Sequence, residues 1–435
     1  MRRPVCLVAF VALATPAAAW AHAGLSKTFP SFRERLERSP GQIVLRFDQE
    51  VKAFPSSIVV YTAGGRVVSG PARNGRDAHF VLAPVHAVAH GAYTVRWHVL
   101  SGDGHVVSGV YTYGVGVAAP PPTSAYGASG PTRTEHVVRW LYFLGLALLV
   151  GGLGFRLLVL RGPLPRPLER RFYMTAGLGV VTVLEVGIVA FLLRAEDALQ
   201  LPFSRFIYGD LSPIAGGTRF GTAFIAMTLG FAFVGALVFL AWLTERVVFL
   251  WLAFVLGLGF ASGLSLSGHS AVDAGSSSLS QVADWLHLSA ASLWAGGLIQ
   301  LAFVVWPTAP EFRRRAFLGF AQLAPVLIAV LLAAGIYLSV LRLPHLQDLW
   351  TEGYGRVLLV KLSLVAVALA WGGAHHVLVR PRLERGLAGG RVRTSLLAEG
   401  AVAMSVLLAA AVLVDSKPPP RGAPQPAQAA RSSGR

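Results

Sequence analysis

The sequence predicts a protein of mixed class: a small all-β sandwich followed by an α-helical transmembrane domain of eight spans. Three observations carry that expectation. Of the 435 residues, 54% are hydrophobic and 14% charged, the balance of a membrane protein. Eight apolar stretches of about 20 residues, each long enough to cross a bilayer, follow one another after residue 135. Before them, residues 22–117 hold no long apolar run, only short alternating segments separated by turn residues.

Residues 1–21 read as a secretory signal peptide. Arg2 and Arg3 precede an apolar run from Val5 to Ala14, and Ala19-Trp20-Ala21 fits an A-x-A cleavage site. Cutting there leaves a mature chain that begins His22-Ala23-Gly24. An N-terminal histidine offers an α-amine and an imidazole from one residue, a ready chelate for a metal. The single cysteine, Cys6, lies inside the signal, so the mature chain is expected to have no disulfide, no thiolate site and no cysteine nucleophile.

The domain at 22–117 reads as about seven strands, the size of a small sandwich. Ile43, Leu45 and Phe47 alternate with Val44 and Arg46. Ser57-Ile58-Val59-Val60-Tyr61 precedes the turn Ala63-Gly64-Gly65, after which Val67-Val68 resumes. His79-Phe80-Val81-Leu82 is ended by Pro84. Tyr93, Val95, Trp97 and Val99 share one face of the best-patterned strand, and Val110-Tyr111-Thr112-Tyr113-Gly114-Val115 is the last. Between these two, Ser101-Gly102-Asp103-Gly104-His105 forms a tight loop. Asp103 and His105 sit two apart across a glycine, so both side chains can turn to one side. Added to the amine and imidazole of His22, they make a mixed N/O donor set that suits Cu(II). His79 and His98 are expected on strands and His86 and His90 beside a loop, each exposed or hydrogen-bonded, with His98 near the loop.

The segments His22-Ala23, Gly41 to Phe47 and Tyr93 to Gly109, the last containing the D-G-H loop, resemble the periplasmic copper-resistance family CopC. The likeness spans the domain and implies an Ig-like, CopC-type sandwich in which His22, Asp103 and His105 bind Cu(II). Some CopC relatives add a methionine-rich Cu(I) site. Here Met1, Met174, Met227 and Met404 all lie outside the domain, which excludes such a site in it.

Residues 118–134 are rich in Pro, Ala, Gly and Ser, the composition of a linker. The membrane domain is expected at 135–414, with spans near 137–160, 172–193, 219–242, 247–268, 284–306, 318–341, 356–379 and 395–414. A Pro-, Ala- and Ser-rich tail, 415–435, reads as disordered. With the first domain secreted, the loops after spans one, three, five and seven fall inside the cell. They hold thirteen arginines, against five in the outer loops, the expected positive-inside bias. The bias accounts for much of the net charge of +17 and argues against nucleic acid as a partner. It places the N-terminal domain and the C-terminal tail on the periplasmic side of a bacterial inner membrane.

Polar residues inside spans are costly and therefore candidates for function. His269 caps the outer end of the fourth span. His287 lies about one turn into the fifth, with Asp284 one turn earlier, so the two histidines share a site if these spans pack together. His375 and His376, near the inner end of the seventh span, read mainly as snorkelling to the interface. Glu185 and Lys361 fall in the outer half, where they could pair. The stretch from Asp284 to Gly297, with its H-x6-W-x-G-G pattern, and the Gly268-His269 pair resemble the copper-resistance membrane protein family CopD, over about residues 135–414.

Together the two resemblances imply a fused copper-uptake protein rather than an enzyme. It takes copper ions as cargo, sits in the lipid bilayer and has other periplasmic copper proteins as candidate partners. Capture falls to His22, Asp103 and His105. The candidate membrane path is His269 and His287, with Asp284, His375 and His376 as weaker members. No G-x-x-x-x-G-K-[ST] loop is present, so movement would draw on gradients or on capture inside the cell. Two other classes fit less closely: a membrane-anchored chaperone that delivers copper without transport, and an oxidative copper enzyme, against which Asp103 argues by occupying a position that oxygen would need.

Overall fold

The computed structural model describes residues 23, 25–86, 89–102, 106–119, 133–199, 219–267, 277–343, 345–386 and 392–416. The signal peptide, His22, the D-G-H loop residues Asp103 and His105, and His269 lie outside the described residues, as do most of the linker and nearly all of the tail.

Among the described residues, the first domain has nine strands in two sheets. One sheet has the order β1 (Leu25–Phe29), β3 (Gln42–Phe47), β7 (Phe80–Pro84) and β6 (Arg73–Asn74). The other runs β2 (Arg35–Leu36), β9 (Val106–Val115), β8 (Gly91–Ser101) and β4 (Val51–Lys52), and β5 (Ile58–Thr62) also pairs with β8. Alternation decides which side chains meet: Ile43, Leu45 and Phe47 from the first sheet and Val95, Trp97 and Val99 from the second share one apolar core. Phe47 meets Trp97 edge-on, with ring centroids 5.5 Å apart.

Some expectations need correction. β1 was not anticipated, because Leu-Ser-Lys-Thr-Phe buries little and hardly alternates. β9 starts at Val106 rather than Val110, so β8 and β9 form one long hairpin. His79 is not on a strand. It sits in the turn before β7, where Asp77 accepts from its backbone N–H at 3.0 Å and pairs with its ring at 2.6 Å.

Among the described residues, eight helices are long and apolar enough to cross a membrane: α1 (Arg133–Val159), α2 (Arg166–Leu193), α3 (Gly221–Thr244), α4 (Val247–Ser265), α5 (Ser278–Thr308), α6 (Pro310–Arg342), α7 (Gly353–Glu384) and α8 (Val392–Val414). Helix begins at Arg133, inside the expected linker, and continues to Asp415, one residue into the expected tail. α1 and α5 are the most buried pair. Their closeness follows from glycine: a Cβ on Gly151 would strike the carbonyl of Ser292, and one on Gly296 would strike the carbonyl of Ala147. α6 and α7 show most of their surface outward. That surface is apolar, with Val326, Ile336, Val340 and Val360 exposed, as a lipid-facing helix requires.

Candidate metal centre

The sandwich fixes the chain on either side of the proposed capture residues. Ala23, next to His22, is 1% exposed and belongs to the same core as Phe47, Trp97 and Val99. Leu25 pairs with Phe47 at the end of β3. A short connection later, Val51 pairs with Ser101, the last residue of β8, and Leu100 pairs with Val106, the first of β9. The register therefore brings the start of β1 and the tip of the β8–β9 hairpin to one end of the sandwich. These are the described residues that flank His22 on one side and Asp103 and His105 on the other.

The hairpin owes its closeness to a glycine. Trp97 faces Gly109 across the ladder. A Cβ at Gly109 would lie 2.6 Å from the indole, so only glycine lets the ring lie flat there. His98, on the opposite face of β8, is 3% exposed. Its Nε2 lies 3.4 Å from the Ser56 hydroxyl, and its backbone N–H donates to Ser57 at 2.9 Å. It is the hydrogen-bonded histidine the sequence suggested. Burial holds the Tyr111 and Tyr113 phenols well above the ordinary tyrosine range, so both stay neutral in the folded domain.

In the membrane domain, α5 starts earlier than hydropathy suggests. Ser277 and Ser280 cap it reciprocally, at 3.2 and 2.9 Å. His287 therefore lies about two and a half turns into the helix rather than one. α4 and α5 do pack together: the Trp285 indole N–H donates to the Leu258 carbonyl at 2.8 Å. His287 Nδ1 lies 3.0 Å from the Leu331 carbonyl on α6, and Gly335 opposite leaves room for the ring. A carbonyl can only accept, so Nδ1 carries a proton, and in the neutral ring this leaves Nε2 as the nitrogen able to ligate. Lys361 lies near the charges of Arg342 and Asp284.

His375 and His376 part company. His376 is exposed, with Nε2 3.3 Å from the Arg380 guanidinium, as an interfacial residue would be. His375 does not snorkel. It is 8% exposed, with Nδ1 2.8 Å from Glu399 and Nε2 2.7 Å from Ser395, both on α8. Glu399 is not among the residues that the sequence points to. Its signal was a carboxylate seven residues into an apolar span. Among the described residues, no group of three or more His, Cys, Asp or Glu side chains is gathered for a metal.

Comparison with known proteins matches three family descriptions along the chain. They are "CopC domain" at residues 25–116, "Copper resistance protein D-like, N-terminal domain" at 134–279 and "Copper resistance protein D" at 314–413. "Copper transport protein CutJ" of Bacillus subtilis (strain 168) is 25% identical over 446 residues, covering 94% of this chain and 77% of that one. "Protein YobA" of Escherichia coli (strain K12) is 34% identical over 106 residues, 24% of this chain and 85% of its own length. The crystal structure of CopC from Methylosinus trichosporium OB3b shares 30% sequence identity, covers 22% of this chain and 93% of that one, and gives a TM-score of 0.20.

Proposed function

This chain belongs to the copper-resistance family in which a CopC domain is fused to a CopD membrane domain, and from that premise we propose that it captures Cu(II) outside the inner membrane and carries copper inward. Copper handling follows from the family matches, and the eight apolar helices together with the CopD match support a multi-pass membrane domain. The capture residues, the oxidation state, the orientation and the transport step are our reading.

In this reading, signal cleavage frees the His22 amine, and Asp103 and His105 complete an N/O set for Cu(II). Copper is cargo here, held by ligands that must be deprotonated to bind it. The register that gathers Leu25, Ser101 and Val106 at one end of the sandwich carries this proposal. It brings the described neighbours of His22 and of the D-G-H loop to one end, which supports a shared site.

Tethering the domain to the bundle raises the effective metal concentration at the membrane mouth. His269 and His287 then form the first stage of the path. The packing of α4 on α5 and the Nδ1 contact of His287 with the Leu331 carbonyl, which turns Nδ1 away from a metal, support that role. Asp284, opposed by Lys361, tunes the charge there rather than serving as a main ligand.

Cellular copper accumulation with and without the gene tests the proposal. Uptake that falls when the gene is removed, and that is not restored by His287→Ala, is the expected result. Unchanged accumulation would leave a copper-delivery protein that serves other periplasmic copper proteins and transports nothing.

A further inference from the structure

One end of the bundle carries the connections between α1 and α2, α3 and α4, α5 and α6, and α7 and α8. Its arginines are not all loose surface charges. Arg156, 7% exposed on α1, donates from its two terminal nitrogens to the Leu160 carbonyl at 2.8 Å and the Gly162 carbonyl at 3.0 Å. The α1–α2 connection is pinned from inside by these bonds. Arg315, near the start of α6, donates to the Arg161 carbonyl at 2.6 Å and ties α6 to the same connection. Arg161 itself turns back, its Nε donating to the Leu158 carbonyl at 3.0 Å. One turn deeper on the Arg315 face of α6, Gly319 meets Val159 of α1, where an added Cβ would lie 3.0 Å from a valine methyl. Arg161 and Arg315 therefore stand together at the mouth of a closed seam between α1 and α6.

Both side chains are exposed. Among the described residues, neither has a carboxylate partner. The acids at this end are placed elsewhere. Glu384 pairs with Arg380 at 2.8 Å, and Glu169 and Glu311 lie in the first turns of α2 and α6, where the helix N-terminus favours them. Arg314 reaches the other way, to the Glu384 carbonyl at 2.9 Å. Two fixed positive charges are thus left side by side without a counter-charge.

We propose that Arg161 and Arg315 hold the phosphate of an anionic phospholipid at the mouth of the α1–α6 seam. Each guanidinium has five N–H donors and spends one on a backbone carbonyl, so donors remain on both for phosphate oxygens. The pair sits where two spans end, the level of lipid headgroups, and basic sites between spans suit such groups. Leu158 and Leu318 are half-buried beside the two arginines and offer an apolar edge to an acyl chain. A soluble anion would meet the charge but leave that edge uncovered. Bound there, the lipid links α6 to the α1–α2 connection through its headgroup, and no copper ligand takes part.

The test is native mass spectrometry of the full-length protein in a neutral detergent. The protein is titrated with phosphatidylglycerol and with phosphatidylcholine of the same acyl chains. Wild type is expected to hold one phosphatidylglycerol at least tenfold more tightly than phosphatidylcholine. Arg161→Gln with Arg315→Gln should lower that preference at least fivefold. Arg246→Gln with Arg393→Gln removes the same charge from the α3–α4 turn and the start of α8, and should keep it. Equal loss in the two double variants would make the preference a property of overall charge and overturn the site. No preference in wild type overturns it too, as does displacement of the lipid by an equal concentration of inorganic phosphate. Should the first double variant not fold, Arg161→Gln alone decides, because Arg156 and the Arg161 carbonyl still pin the connection. A preference lowered at least threefold then supports the site, and an unchanged one overturns it.

Discussion

Gly109 faces Trp97 across the β8–β9 ladder, and the indole fills the space a side chain at 109 would need. The same hairpin carries the D-G-H loop at its tip, so the packing of one tryptophan sets the base on which the proposed capture site stands.

Gly109→Ala is therefore expected to push the indole out of its slot and destabilise the sandwich by about 1–3 kcal/mol, the usual cost of overpacking. Thermal unfolding followed by tryptophan fluorescence reads the loss. Gly41→Ala, at a position with open space around it, should leave the melting temperature nearly unchanged. Equal melting of the two variants would contradict the packing argument.

Gly151→Leu and Gly296→Leu each place a side chain into the backbone of the facing helix, where nothing flexible can yield. Both are expected to prevent α1 and α5 from closing, so that little monodisperse protein is recovered in detergent. Gly177→Leu, on open surface of α2, should be recovered like wild type. Size-exclusion chromatography distinguishes the three.

The alkaline limit of the sandwich follows from its tyrosines. Burial is the main cause that raises Tyr111 and Tyr113, with each helped by a neighbouring phenol, Tyr113 and Tyr93 respectively. The unfolded chain ionises these groups near pH 10, whereas the folded domain keeps them neutral. Their contribution is then fully present below about pH 10 and is lost as pH rises above it, because only the unfolded state gives up the protons. Circular dichroism against pH should show β structure decaying above that point, with Tyr111→Phe shifting the decay upward. A Tyr111→Phe curve that overlays wild type would count against this assignment.

His287→Gln removes the lone pair proposed to receive copper while keeping a polar side chain between α5 and α6. Copper accumulation should drop at least tenfold, with Cu(II) binding by the outer domain unchanged. Retained accumulation would make His287 a packing residue held by the Leu331 carbonyl.

Much of this was legible from residue order, and the gaps have physical causes. Hydropathy located all eight spans because the bilayer imposes one length on each. Period-two alternation located the strands that line the core, β3 and β8, but not β1, whose Ser26 and Lys27 both face water. Hydropathy also misplaced the start of α5, because a serine cap and not an apolar residue opens that helix. The D-G-H loop stood out through its spacing. The His375–Glu399 pair did not, since its members sit on different spans and only packing joins them. Glu399 alone was visible as a charge in an apolar run, a signal without a partner.

In the proposed function, copper is held by the freed N-terminus together with the D-G-H loop. The most direct test is Cu(II) titration of the signal-cleaved protein, with the N-terminal residue sequenced in the same sample, beside His22→Ala and His105→Ala. The expected result is a chain that begins at His22, one tight Cu(II) per protein, and at least a hundredfold weaker binding in either variant. A residue left ahead of His22, or wild-type affinity in His105→Ala, would contradict it.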